Sequence, residues 1–210
     1  VTGDKRRRMS AEERRKQLLD IAQRIIDAEG FPAATPKRIA DEAGINRTVI
    51  YQQFGDPAGM FAALVDREIT RAGVQFAQVV AEVPDVGRTG DRYLVRVFEG
   101  TLNAIDAHPA TWRLFLFPPE GAPAELHRRL ASSQDFLLSF LTRELLRMRP
   151  DLHDPEYTAR MVQAAGRELL QLRLSDPESA TRERLSALMR SLNADITGRS
   201  GEKALSERGE

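Results

Sequence analysis

Apolar side chains recur along this chain at helical spacing, and no stretch alternates apolar with polar residues over the length of a strand. Leu18, Ala22, Ile25 and Ile26 share one helical face, as do Met60, Phe61, Leu64, Val65 and Ile69, and again Leu94, Val97, Phe98, Thr101, Leu102 and Ile105. Each set is bounded by residues that start or stop a helix. Ser10 with Glu13 has capping-box spacing for a first helix that runs to Gly30. Thr35-Pro36, Asp56-Pro57, Asp154-Pro155 and Asp176-Pro177 each join a capping side chain to a proline whose missing N–H costs nothing at the first helical position. The pattern predicts a long helix from Asp56-Pro57 to about Val83, broken by Pro84 and VGRTGD, and another from about Asp91 to Ala107, stopped at His108-Pro109. The aromatic segment ATWRLFLF follows, then the loop PPEGAP and a helix through Leu126, Leu130, Leu137, Leu141 and Leu145 that ends before Pro150. Two last helices are expected from about Pro155 to Leu174 and from Pro177 to Thr197. The chain therefore reads as all-α, with about nine helices and no internal repeat.

The stretch TPKRIADEAGINRTVIYQQF, residues 35–54, carries the clearest functional signal. Ile39, Ala40 and Ala43 fall on one face of a short helix, and Gly44 stands where the chain must turn through a positive φ. Asn46 can cap a second short helix, on which Ile50 and Phe54 share one side while Arg47, Thr48, Tyr51 and Gln52 point elsewhere. Two short helices around such a corner make a helix-turn-helix, the motif that sets its second helix in the major groove of DNA. An ordinary αα-corner would use Ile39, Ile45 and Ile50 as core in the same way, but not the cap, Ala40, Gly44, Tyr51 and Phe54 at these spacings together.

Composition adds limits. With no Cys the 210-residue chain has no disulfide framework, and 41% apolar against 30% charged residues is the balance of a globular protein. No run is long and apolar enough for a membrane helix, and the basic start KRRR is followed by charge rather than by the apolar core of a signal peptide, so a cytoplasmic protein without a membrane partner is expected. Net charge is zero, yet residues 1–54 hold eleven Lys and Arg against eight acids, so the amino-terminal part is basic on an acidic remainder. Residues 1–10 read as a basic disordered arm that either stays solvated or reaches phosphates. His108, His127 and His153 are too far apart for a metal set, and neither a phosphate loop nor a nucleophile motif is present, so no cofactor, metal or enzymatic activity is expected.

The helix that precedes residues 35–54, the spacing Ile39-Ala40, Ala43-Gly44-Ile45, Ile50-Tyr51 and Phe54, and the long helix that starts two or three residues later resemble the TetR family of transcriptional regulators, over about residues 14–64. The resemblance implies a DNA-binding head at residues 11–55, a helical ligand-binding and dimerisation body at residues 56–197, and a flexible tail at residues 198–210. It implies a homodimer that binds a double-stranded DNA operator, most often as a repressor, under the control of a small-molecule effector. Carried over residue by residue, Asn46, Arg47, Thr48, Tyr51 and Gln52 are expected to meet DNA, with Thr35 and Lys37 reaching the backbone from the first helix of the motif. Arg47 is the candidate base reader, because a guanidinium can take guanine O6 and N7 together. Three positions depart from the family pattern: Val49 for a small hydroxyl residue, Gln53 for a His or aromatic, and Pro57 for a Lys. The Lys5–Arg8 arm could offset the phosphate contacts they lack. A rival reading keeps the helical body as a small-molecule binder and makes the helix-turn-helix purely structural.

In the body, packing accounts for most aromatic residues, and the resemblance implies that some line an effector cavity. The candidates are Tyr93, Phe98, Trp112, Phe115, His127, Phe136 and Phe140. The last two helices carry more apolar surface than one stripe needs, including Tyr157, Met161, Leu172 and Leu188, with Ala164, Ala165 and Gly166 permitting close approach. Pairing with the same two helices of a second copy would form a four-helix, isologous interface.

Overall fold

The computed structural model describes residues 9–83, 92–117 and 124–197. Most of the expected basic arm, the VGRTGD and PPEGAP loops and the tail lie outside the described residues. Among those described, nine α-helices and one 3-10 turn account for all regular structure: α1 (Ala11–Glu29), the turn Phe31–Ala33, α2 (Pro36–Ala43), α3 (Thr48–Phe54), α4 (Pro57–Glu82), α5 (Tyr93–Ala107), α6 (Pro109–Leu116), α7 (Ala124–Met148), α8 (Pro155–Ser175) and α9 (Arg182–Thr197). The fold is all-α, with a helix-turn-helix head and a helical body. No described helix is long and apolar enough to cross a membrane.

Helix starts follow the capping chemistry in the sequence. Ser10 and Glu13 form a reciprocal capping box at α1, each side chain taking the other's backbone N–H, at 3.1 and 2.7 Å. Thr35 Oγ1 accepts from Arg38 N, Asp56 Oδ1 from Gly59 N and Asp154 Oδ1 from Tyr157 N. The fourth Asp-Pro pair behaves differently. Asp176 Oδ1 accepts from Ser179 N, and Ala180 N closes one turn on Asp176 O, but the chain then leaves the helical path. The last helix starts at Arg182 rather than at Pro177, with Thr181 Oγ1 taking the Arg184 N–H. Ala180 is buried against Leu185 and Met189 and pins the kinked connection.

By packing, the described residues form two compact units, one running to Glu68 and the other from Ile69, with residues 124–127 grouped with the first. In the first unit α1 packs on α2 and α3, burying Leu18, Ala22 and Ile25 together with Ile39, Ala40 and Ile50. Phe31 and Phe61 meet in a tilted ring pair 5.5 Å apart. The second unit holds three contiguous apolar clusters, among them Val79, Tyr93, Phe140 and Leu145 in one and Phe98, Leu102, Leu185 and Met189 in another. Its helices are tied by polar contacts to backbone carbonyls, such as Gln171 Nε2 to Leu116 O at 2.7 Å, and by Asp106, which takes both Arg173 and Arg182.

Candidate nucleic-acid interface and effector cavities

The corner between α2 and α3 is built as its sequence demands. Gly44 takes the left-handed conformation at φ 64°, and its N–H and that of Ile45 return to the end of α2. Asn46 supplies the cap of α3 although the helix itself starts at Thr48: Asn46 Oδ1 accepts from Thr48 N at 2.9 Å and from Thr48 Oγ1 at 2.7 Å. Ile50 is fully buried beneath α3. Asn46, Arg47, Thr48, Tyr51 and Gln52 are all exposed, and the pairs Arg47/Tyr51 and Thr48/Gln52 form two adjacent rows one helical turn long. Thr35 and Lys37 are exposed at the start of α2. The seven candidate DNA-contacting residues thus occupy the exposed parts of one motif. The geometry also assigns hydrogen-bonding roles. Thr48 has already committed its hydroxyl proton to Asn46, whereas the Asn46 amide N–H groups remain available to a phosphate.

Two arginines that the residue pattern does not single out hold this motif in place. From α1, Arg15 donates to Gln53 O at the end of α3 at 2.8 Å, and its guanidinium lies 4.4 Å from the centroid of the Phe54 ring. A cation at a helix carboxyl end satisfies open carbonyls and complements the helix dipole. From α4, Arg67 reaches back to α1, donating to Asp20 Oδ1 at 2.7 Å and Gln23 Oε1 at 3.0 Å, while its Nε takes Glu68 Oε1 at 2.6 Å. The one available signal for Arg67 was a charged residue inside the apolar run Leu64, Val65 and Ile69. Gly59 permits the tight α3–α4 junction, since a Cβ there would lie 2.2 Å from Phe54 O.

The head's charge is more local than its composition suggests. Arg38 forks onto Glu29 with two contacts of 2.6 Å and also reaches Glu42, which takes Arg24 as well. This hydrogen-bonded fork holds the Glu29 carboxyl below its ordinary range. Lys16 is paired with Asp20, and Arg14 with Gln17. Among the described residues up to Phe54, Lys37 and Arg47 are the basic side chains left without a partner, and both belong to the helix-turn-helix.

The second unit contains two apolar cavities. One of about 300 Å³ is lined by Phe98 from α5 and by Gln163, Arg160 and Arg167 from α8. The other, of about 610 Å³, is lined by Phe76 from α4 and by Phe136 and Phe140 from α7. Trp112, Phe115 and Leu137 belong to both linings and separate the two spaces. Trp112 is held edge-on to Phe115 at 5.9 Å, and its Nε1–H donates to Gln75 Oε1 at 2.8 Å. Of the seven ligand candidates, Phe98, Trp112, Phe115, Phe136 and Phe140 therefore border cavities. Tyr93 is instead buried in the core beside Val79 and Leu145, and His127 is exposed and grouped with the first unit.

A buried three-helix frame that presents one short helix, joined to a cavity-bearing helical body, defines the class: a helix-turn-helix head on an all-α body. Residues 18–64 match the family model described as bacterial regulatory proteins, tetR family. That stretch of the head is similar to the TetR family, and over nine-tenths of its length the chain has the fold of a TetR-like regulator. It is 29% identical over 111 residues to the HTH-type transcriptional regulator EthR of Mycolicibacterium smegmatis, a match covering 53% of this chain and 50% of that relative. The chain thus spans about half the length of the curated relative it matches. A TetR-like transcriptional regulator from Rhodococcus sp. RHA1 superposes with a TM-score of 0.73 at 24% identity, covering 91% of this chain and all of the other. SmeT in complex with triclosan superposes with a TM-score of 0.65 at 19% identity, covering 86% and 90%.

Proposed function

We propose that this chain is a homodimeric, TetR-like repressor that occupies a near-palindromic operator and is released by a small molecule bound in its helical body. The observation that carries the reading is the exposed row on α3. Arg47 and Lys37 are unpaired and face outward from a frame in which neighbouring basic residues are already bonded. Partnering them requires an external anion, and DNA supplies phosphates and guanine edges at the spacing of a short helix. This favours DNA reading over a purely structural helix-turn-helix. Repression needs only occupancy of the operator by two heads.

Dimerisation is supported by the outer face of α8 and α9, where Tyr157 and Met161 are each 67% exposed and Leu188 51%. Apolar side chains of this size on one continuous face belong in an interface. The cavities support an effector, and the structure of SmeT with triclosan provides a protein of like fold that holds a small molecule.

The deciding experiment is anisotropy of labelled DNA from the region upstream of the chain's own coding sequence, at fixed salt, with wild type and Arg47→Ala. Loss of one bidentate base contact is expected to weaken binding by roughly 10- to 100-fold. Equal affinity of the two proteins for that DNA removes the base-reading role of Arg47. Absence of saturable binding by the wild type removes the operator reading for that region.

A further inference from the structure

The charged residues bordering the two cavities share one sign. Arg160 and Arg167 line the smaller cavity and Arg143 the larger, and no Asp or Glu stands among the described lining residues of either. The three arginines are not equivalent. Arg160 is paired with Glu156 at 2.9 Å, and Arg143 with the buried Glu144 at 3.2 Å. Arg167 has no hydrogen bond or ion pair among the described residues. It lies on α8 one helical face along from Gln163, at i+4, and both line the smaller cavity.

The neutral side chains there have already spent donors on backbone carbonyls, which leaves the Arg167 guanidinium as the uncommitted charged donor of the lining. Gln163 Nε2 donates to Gln134 O, and the Thr101 hydroxyl donates to Val97 O. A guanidinium offers five N–H donors and no acceptor, in a fork that fits a carboxylate. Arg167 is exposed as well as lining, so it stands where the apolar space meets solvent.

We propose that the effector is an amphipathic carboxylate, its apolar body in the cavity bordered by Phe98, Trp112 and Phe115 and its carboxylate on Arg167. The proposal rests on the small-molecule reading above and adds the charge of the ligand and the residue that reads it. A neutral effector would leave Arg167 without a partner, and a cationic one would meet two guanidinium groups and no acid among the described lining residues. Because Trp112 is the single tryptophan of the chain and borders both cavities, its emission reports occupancy without a label.

The test uses three probes with one apolar body and different heads: octanoate, 1-octanol and octylammonium, titrated against the full chain and against Arg167→Gln while Trp112 emission is followed. A charge-assisted contact at a half-exposed site gives octanoate an expected advantage of about 10-fold over octanol, with octylammonium weakest. Arg167→Gln is expected to erase that advantage while leaving octanol binding unchanged, which also shows that the variant is folded. Equal binding of the three probes, a preference for octylammonium, or retention of the octanoate preference by Arg167→Gln overturns the proposal and leaves the small-molecule reading standing. Failure of all three probes to bind a wild-type chain whose helical circular dichroism is intact overturns both.

Discussion

Each unit of the molecule buries a glutamate directly after an arginine, and the two pairs do different things. In the head, Glu68 is 1% exposed and Arg67 carries its guanidinium across to Asp20 and Gln23, more than forty residues away in the chain. In the body, Glu144 is 2% exposed, but its arginines are Arg143 and Arg147 on the same helix, both of them exposed. The first pair crosslinks two helices, and the second stays within one. The difference belongs to these two buried pairs: the body takes its crosslinks elsewhere, through Asp106, which holds Arg173 and Arg182 from two other helices.

Removing each arginine tests this contrast and carries the largest expected effect. Arg67→Ala removes the contact to the buried Glu68 and the link to Asp20 and Gln23, leaving Lys16 on Asp20, which is expected to cost about 2 kcal/mol in urea unfolding. Arg143→Ala removes an exposed contact and leaves Arg147 on Glu144, so a loss below about 1 kcal/mol is expected. If the two variants unfold at the same urea concentration, the distinction between the crosslinking pair at Glu68 and the local pair at Glu144 is wrong.

How far the sequence discloses these features depends on their range. Capping chemistry is local, so Ser10, Thr35, Asp56 and Asp154 each take the backbone N–H that their spacing promises. Asp176 shows the limit of that signal: a cap opens a turn, but a helix continues only if the residues after it share a buried face, and that face begins with Leu185. The exposed row on α3 is legible because helical period puts Ile50 and Phe54 on one face and Arg47 and Tyr51 on another. The residues that anchor it were not, since Arg15 bonds at a separation of 38 residues and no periodicity links it to Gln53. Charge counting is coarse in the same way. Among the described residues up to Phe54, five of the seven basic side chains are bonded internally, and Lys37 and Arg47 remain free. Aromatic clustering located the cavity region, whereas which rings border space and which, like Tyr93, fill core depends on packing in three dimensions.

A smaller effect sharpens the comparison at two alanines of equal burial. Ala22 is fully buried where α1 meets its neighbours, and Ala72 is 3% exposed but borders the larger cavity. Valine carries the same helix-propensity cost at both positions, about half a kcal/mol or slightly more. Beyond that, Ala22→Val must force apart packed atoms, for a total loss of roughly 1–3 kcal/mol. Ala72→Val has open space beside it and is expected to lose little more than the propensity cost. Thermal unfolding of the two variants measures the difference, and equal losses would mean that the cavity wall at Ala72 is as tightly packed as the head.

The mildest perturbation is acid. Three carboxylates of the head lie below their ordinary range: Glu13 through the Ser10 backbone N–H and hydroxyl, Glu29 through the Arg38 fork, and Asp20, where partial burial pushes upward but Lys16 and Arg67 outweigh it. In the body the corresponding described group is Asp176, lowered by the Ser179 side chain and backbone N–H. A carboxylate lowered in the folded state binds its proton more readily when unfolded, so its stabilisation is complete above the unfolded value near pH 4 and is lost as the pH falls through the lowered folded value. Acid should therefore loosen α1 and α2 before it loosens the packing around Trp112. Hydrogen exchange, corrected for its intrinsic pH dependence and compared between about pH 6 and about pH 3, is expected to show a larger loss of protection in α1 and α2 than in α5 and α6. Equal loss in both places would mean that these exposed pairs are too well screened by solvent to distinguish the head from the body.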